Sequence, residues 1–186
     1  MSLILGGNPR ATQILRRCYS HVEVADKERN RAMGVTNLKR VFGRPGELRT
    51  LVDALAGTLG DADAIASADS GGAPLAAVLA YQLGLPSLFV REVPKEHHLS
   101  YGGDPATNHP RLAGERLAPG STVHLIDDLV HTGATLASAA RVLREAELAT
   151  TRASSLLIAP ELAGWPDNLA AAGVREITAL AMTTQL

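Results

Sequence analysis

Aromatic side chains make up only 3% of this sequence, too few to carry its core. Hydrophobic residues still reach 46%, so the interior must be built from Ala, Leu, Val and Ile. Small apolar side chains let helices lie close to a sheet, which favours an α/β design. Cysteine occurs once, at Cys18. One thiol makes neither an internal disulfide nor a cysteine-rich zinc site, so nothing ties the chain to an oxidising compartment. Long apolar runs are missing too, and none approaches the ~20 residues of a membrane span. Residues 1–7 are too short and uncharged for a secretory signal. These absences predict a cytoplasmic protein with no membrane partner. Nor is there an excess of positive charge: the net charge is -1. A general nucleic-acid binder needs a basic excess to offset phosphates, so no nucleic-acid partner is expected. Arg10, Arg16, Arg17, Lys27, Arg29 and Arg31 crowd the N-terminal part, a pattern that reads as ordinary solvated surface.

What is present is an alternation. The length of 186 residues suits one domain, or one domain with a small accessory flap. A short helix is expected over residues 10–19 and a strand within 34–42. Pro45 and Gly46 open a helix to about Leu59, with Leu48, Leu51, Val52, Leu55 and Leu59 on one face. Strands are then expected at 64–68, 87–91, 123–127, 153–159 and 176–181, with helices at 74–83, 134–146 and 168–172. Residues 92–110 are polar and without periodicity. Strands alternating with helices imply right-handed crossovers and a parallel sheet. In such sheets ligands sit beyond the carboxyl ends of the strands. The loops to inspect therefore begin at Asp69, Glu92, Asp127 and Pro160.

The segment of residues 123–135, VHLIDDLVHTGAT, carries the clearest chemistry. Its first part is an apolar strand, and Asp127 and Asp128 come where that strand emerges. Adjacent carboxylates repel each other and lose solvation, which a fold tolerates more readily if hydroxyl donors or a cation compensate them. Val130, His131, Thr132, Gly133, Ala134 and Thr135 then turn into a helix. The first N–H groups of a helix are unpaired and carry the positive end of its dipole. With the hydroxyls of Thr132 and Thr135 they make an anion cradle. A diol site beside a monophosphate site has the layout of ribose 5-phosphate. The bland alternative is a strand ending in an Asp pair, with Thr132 a mere helix cap.

Two further loops stand at strand ends. Asp69-Ser70-Gly71-Gly72 precedes a helix, and glycine permits the backbone angles that aim amides at an anion. Residues 89–97, FVREVPKEH, bring Arg91, Lys95, Glu96 and His97 together in a charged stretch. His97-His98 lacks a third ligand at helical or hairpin spacing, which argues against a metal pair.

Segment 123–135 resembles the phosphoribosyl pyrophosphate (PRPP) motif of type I phosphoribosyltransferases. The resemblance implies that Asp127 and Asp128 hold the ribose hydroxyls and that residues 130–135 hold the 5′-phosphate. His131 departs from the small residue usual in the family. Asp69, Ser70, Gly71 and Gly72 are similar to the family's pyrophosphate loop. Arg91, Lys95, Glu96 and His97 resemble the orotate branch, which implies that Lys95 and His97 join Asp127 and Asp128 in catalysis. Glu92 stands where that branch usually has Lys. Its Arg after the strand at 153–159 is absent: the chain reads Pro160-Glu161 there.

The fold so implied is α/β: a central, mostly parallel sheet flanked by helices, with a reduced N-terminal hood over residues 1–33 and a core domain over 34–186. The implied activity is transfer of a 5-phosphoribosyl group from PRPP to a nucleobase nitrogen with release of pyrophosphate. Orotate is the expected acceptor, which would place the chain in pyrimidine biosynthesis. Mg²⁺ is the implied cofactor, held mainly by PRPP near Asp127 and Asp128 rather than by a site of the protein's own. A homodimer sharing the loop 92–110 is implied as well. The residues leave open a transferase for another base such as a purine, and a non-catalytic PRPP or nucleotide sensor controlling gene expression.

Overall fold

The structure, a computed structural model, describes residues 1–22, 33–68, 71–91, 112–160 and 164–186. Its strands are β1 (Ser2–Leu5), β2 (Tyr19–Val22), β3 (Met33–Thr36), β4 (Ala64–Ala68), β5 (Ser87–Val90), β6 (Leu112–Ala113), β7 (Val123–Val130), β8 (Arg152–Ile158) and β9 (Glu176–Met182). Its helices are α1 (Pro9–Cys18), α2 (Pro45–Ala56), α3 (Gly72–Leu83), α4 (Ala134–Glu145) and α5 (Trp165–Ala171). Seven strands form one sheet in the order β1-β9-β8-β7-β4-β5-β6, parallel throughout except for the antiparallel edge pair β5–β6. The expected mostly parallel α/β sheet is therefore what the chain builds. β2 and β3 form a separate antiparallel hairpin, and its strands fall on either side of residues 23–32.

Local chemistry starts and stops the helices. Asn8 caps α1 by accepting from the Ala11 N–H at 2.9 Å, and Pro9 opens the helix where its missing donor costs nothing. α3 ends at Gly84, whose φ of 67° is the left-handed stop that glycine adopts freely. The helices cover both faces of the sheet. Leu15, Leu51, Leu55, Leu75 and Leu79 of α1–α3 pack with Ile65 and Ile126 on one side. Leu136, Leu143 and Leu169 of α4 and α5 pack with Ala66, Leu125 and Ile177 on the other. Every residue of β4 is buried, as expected of a strand covered on both faces.

Connectivity opens the crevice. β4 and β7 are neighbours, but the chain leaves β4 towards β5 and leaves β7 towards β8, on the opposite side. That reversal of winding is the point at which doubly wound sheets bind ligands. The β4–β7 ladder registers only from Ala64↔Val123 to Ala66↔Leu125, while β7 runs on to Val130 paired with β8. A second irregularity lies on the same level. The ladders β7–β8 and β8–β9 skip Asp128, Leu156 and Leu180. Leu156 and Leu157 are adjacent in sequence yet pack in one cluster, as do Leu180 and Ala181. Strict strand alternation would send each pair to opposite faces. The Ser155 hydroxyl donates to the Leu157 carbonyl at 3.0 Å across this break.

Several elements differ from expectation. β7 continues three residues past Asp127, because Leu129 and Val130 find partners in Leu157 and Ile158. Residues 34–42 are not one strand: β3 ends at Thr36 and a 3-10 helix spans Leu38–Gly43. β1 and β6 carried no sequence signal, being four and two residues long and held by partners elsewhere in the chain.

Candidate functional site at the carboxyl end of β7

Asp127 and Asp128 lie within β7 and are both half-buried. Each carboxylate accepts a local backbone donor: Asp127 Oδ1 from the Asp128 N–H at 2.9 Å, and Asp128 Oδ1 from the Leu129 N–H at 3.0 Å. Facing them is the start of α3. A Cβ on Gly71 would run into the Asp128 carboxylate. A Cβ on Gly72 would lie 2.8 Å from the Ile126 carbonyl oxygen and 3.0 Å from Asp127 Cα. Only glycine permits this approach, so the Gly71-Gly72 turn and the Asp pair form one surface.

The other wall is the turn into α4. Gly133 precedes that helix with φ 69°, and its carbonyl accepts the first helical hydrogen bond, from the Ala137 N–H at 2.9 Å. Thr132 and Ala134 are exposed, while His131 and Thr135 are half-buried. Thr132 Oγ1 sits 3.4 Å from the Ala134 N–H, a long contact. The first-turn N–H groups form the positive pole of a twelve-residue helix. The structure thus brings Gly71, Gly72, Asp127, Asp128 and residues 130–135 to one end of the sheet. Arg91 follows β5 at the same carboxyl edge and is half-buried. Asp69, Ser70, Lys95, Glu96 and His97, with Glu92 and Glu161, lie outside the described residues.

Two residues at this end escaped the sequence reading. Asn168 of α5 donates from Nδ2 to the Thr132 carbonyl at 2.8 Å. Trp165, the sole tryptophan of the chain, opens α5 against the loop: a Cβ on Gly133 would lie 3.2 Å from the Trp165 carbonyl oxygen and 3.2 Å from Leu169 Cγ. No local pattern marks either residue, because their partners stand some thirty positions earlier and meet them only through packing.

At the amino end of β7 a surface pocket is lined by Asp61, Thr122, His124, Thr151 and Arg152, and the imidazole beneath it is buried. His124 is 4% exposed and lies 2.8 Å from the Ser154 hydroxyl. Burial, with a smaller contribution from the charge of Arg152, pushes its pKa down to about 4, so the imidazole is neutral at pH 7. Among the described residues, no group of three or more His, Cys, Asp or Glu side chains could hold a metal ion, and no helix is long and apolar enough to cross a membrane.

Fold and site geometry are those of a doubly wound α/β protein with a helix start beside an acidic pair at its switch point. Residues 44–177 match the model of the phosphoribosyl transferase domain, and the chain belongs to that family; it is a phosphoribosyltransferase, of the pentosyltransferase class. An adenine phosphoribosyltransferase of Clavibacter michiganensis subsp. michiganensis is 37% identical over 141 residues, covering 72% of this chain and 78% of that protein. Among solved structures, an orotate phosphoribosyltransferase from Aeropyrum pernix superposes with a TM-score of 0.71 at 22% identity, covering 94% of this chain and 95% of that one. An adenine phosphoribosyltransferase from Thermoanaerobacter pseudethanolicus gives 0.69 at 20% identity, covering 91% and 98%. At such identities both structures speak for the fold alone.

These relatives overturn orotate as the expected acceptor, and pyrimidine biosynthesis with it. The similarity in sequence runs to adenine enzymes. The physical reason was visible at the end of β8. No Arg follows Ile158 and Ala159 there to hold a carboxylate, whereas a purine has no carboxylate to hold.

Proposed function

We propose that the chain transfers the 5-phosphoribosyl group of PRPP to adenine, forming the nucleoside monophosphate and releasing pyrophosphate. One observation carries the PRPP half of this reading, the bracketing of the Asp127-Asp128 pair by the Gly71-Gly72 turn on one side and the start of α4 on the other, while the similarity to adenine enzymes supports the base. A diol-binding pair between two amide-rich turns matches a sugar with a phosphate at one end and a diphosphate at the other.

In this reading the carboxylates of Asp127 and Asp128 accept the ribose 2′- and 3′-hydroxyls. Residues 130–135 receive the 5′-phosphate through backbone N–H groups and the Thr132 and Thr135 hydroxyls. Asp69, Ser70, Gly71 and Gly72 take the pyrophosphate, with Arg91, Lys95 and His97 adding positive charge or hydrogen-bond donors. As the C1–N bond to the incoming base forms and the C1–O bond to pyrophosphate breaks, the sugar gains positive charge. Fixed carboxylates beside it favour that charge more than they favour the ground state. No protein nucleophile is needed. Two adjacent carboxylates are hard oxygen donors that suit Mg²⁺ bound chiefly through phosphate oxygens; the ion would offset the charge of the departing pyrophosphate. A homodimer sharing residues 92–110 belongs to the same reading.

The test is pyrophosphate release at saturating PRPP and Mg²⁺ with adenine, guanine, uracil and orotate in parallel. Adenine is expected to be used best. Preferential use of orotate or uracil would refute the assignment of the base, and no release with any base would return the sensor alternative.

A further inference from the structure

The loop that receives the 5′-phosphate is held from outside by α5, and one contact sets its polarity. The described residues contain no cis peptide bond, so the Thr132–Gly133 peptide is trans, with its C=O and N–H pointing in opposite directions. Asn168 Nδ2 draws the Thr132 carbonyl towards α5 at 2.8 Å. The N–H of Gly133 must then point away from α5. We propose that Asn168 is a positioning residue for the 5′-phosphate: its amide locks the Thr132–Gly133 peptide with the N–H turned to the ligand and the carbonyl turned away.

Without that donor the peptide is free to rotate as a unit between its flanking Cα atoms. Gly133, in the left-handed region at φ 69°, is the residue type that tolerates such a flip. A flipped peptide would present its carbonyl, the negative end of the dipole, to an anion. The packing of Gly133 against the Trp165 carbonyl and Leu169 seats the loop on α5 but fixes no peptide polarity. Among the described residues, the Asn168 bond is the directional side-chain contact from α5 to this loop. This inference rests on the reading that residues 130–135 hold the phosphate.

Two substitutions separate positioning from simple stabilisation. Asn168→Ala removes the donor. Asn168→Asp keeps the shape but replaces a donor with an anion that repels both the Thr132 carbonyl and a phosphate. Asn168 is exposed on α5, so the lost contact should lower the thermal midpoint only slightly and to a similar extent in both variants. Calorimetric titration of the wild-type chain and both variants with PRPP and, separately, with pyrophosphate is the experiment. For Asn168→Ala the Kd for PRPP should rise about three- to tenfold, as expected for one neutral hydrogen bond. Asn168→Asp should lose more, while pyrophosphate binding stays the same in all three. In turnover, KM for PRPP should rise with kcat held. PRPP affinity unchanged in Asn168→Asp, or PRPP and pyrophosphate weakened equally, overturns the inference and leaves the functional reading standing. Failure of the wild-type chain to bind PRPP at all overturns both.

Discussion

The two ends of β7 do opposite things with polar side chains. At the amino end His124 is buried, neutral and bonded to Ser154, in register with Ile65 of the β4 ladder. At the carboxyl end the β4 ladder has stopped, and two carboxylates stand half-exposed between glycine-rich turns. A single strand thus passes from a region where a polar group costs stability to one where polar groups are available for chemistry. The first end should govern folding and the second binding, and substitutions can pull the two apart.

The largest effect is expected at His124. Its folded pKa of about 4 lies below the ordinary 6.5, so the unfolded chain binds the proton more readily. Stability is then fully present above pH 6.5 and is lost as pH falls towards 4, by about 3 kcal/mol. Urea midpoints at pH 7 and pH 4 should show a markedly steeper loss in the wild-type chain than in His124→Gln. Equal losses would mean that the amino end of β7 is not the acid-sensitive point. Asp128→Ala should show the reverse profile. Hydrogen bonds to a charged group contribute about 1.5–3 kcal/mol, so PRPP-dependent turnover should fall roughly ten- to a hundredfold or more, with the thermal midpoint held. A collapse of stability instead would make the pair structural. Gly133→Ala should act on both properties. A side chain in the left-handed region costs about 1–2 kcal/mol, and its Cβ would meet the Trp165 carbonyl and Leu169 at 3.2 Å. Both the thermal midpoint and PRPP affinity should drop together. The smallest effect is expected for Thr132→Val. Its contact to the Ala134 N–H is 3.4 Å, and its exposed hydroxyl would add about 1.5 kcal/mol to phosphate binding, the low end for a bond to a charged group. PRPP affinity should weaken about tenfold at an unchanged thermal midpoint.

The carboxyl end was the more legible in sequence. Strand, acids, glycine and helix follow one another within residues 123–135, so local periodicity and capping chemistry suffice to read them. Its limits were less so. Two acids read as the end of a strand, yet pairing of Leu129 with Leu157 and Val130 with Ile158 carries β7 onward. α5 begins at Trp165, three residues before the expected 168, because Pro166 falls in the first turn, where proline is tolerated. Contacts between distant segments left no trace: the closeness of Gly71 to Asp128, the Asn168 bond to Thr132 and the pairing of β1 with β9 all arise from tertiary packing. The base half misled for a related reason. Arg91, Lys95, Glu96 and His97 are charged residues close in sequence, and such a cluster identifies a phosphate-facing surface more readily than it identifies a base. The missing Arg after β8 was the better guide, and it agrees with the adenine enzymes among the relatives.

The central claim, that the carboxyl end of β7 binds PRPP through its Asp pair, is open to direct measurement because the only tryptophan, Trp165, lies against the loop that would hold the phosphate. PRPP with Mg²⁺ is titrated into the wild-type chain and into Asp128→Ala while Trp165 emission is followed. The account predicts a saturable change in the wild-type chain and the same change displaced to roughly ten- to a hundredfold higher PRPP in the variant, with both chains equally folded. Superimposable titration curves for the two chains would contradict it.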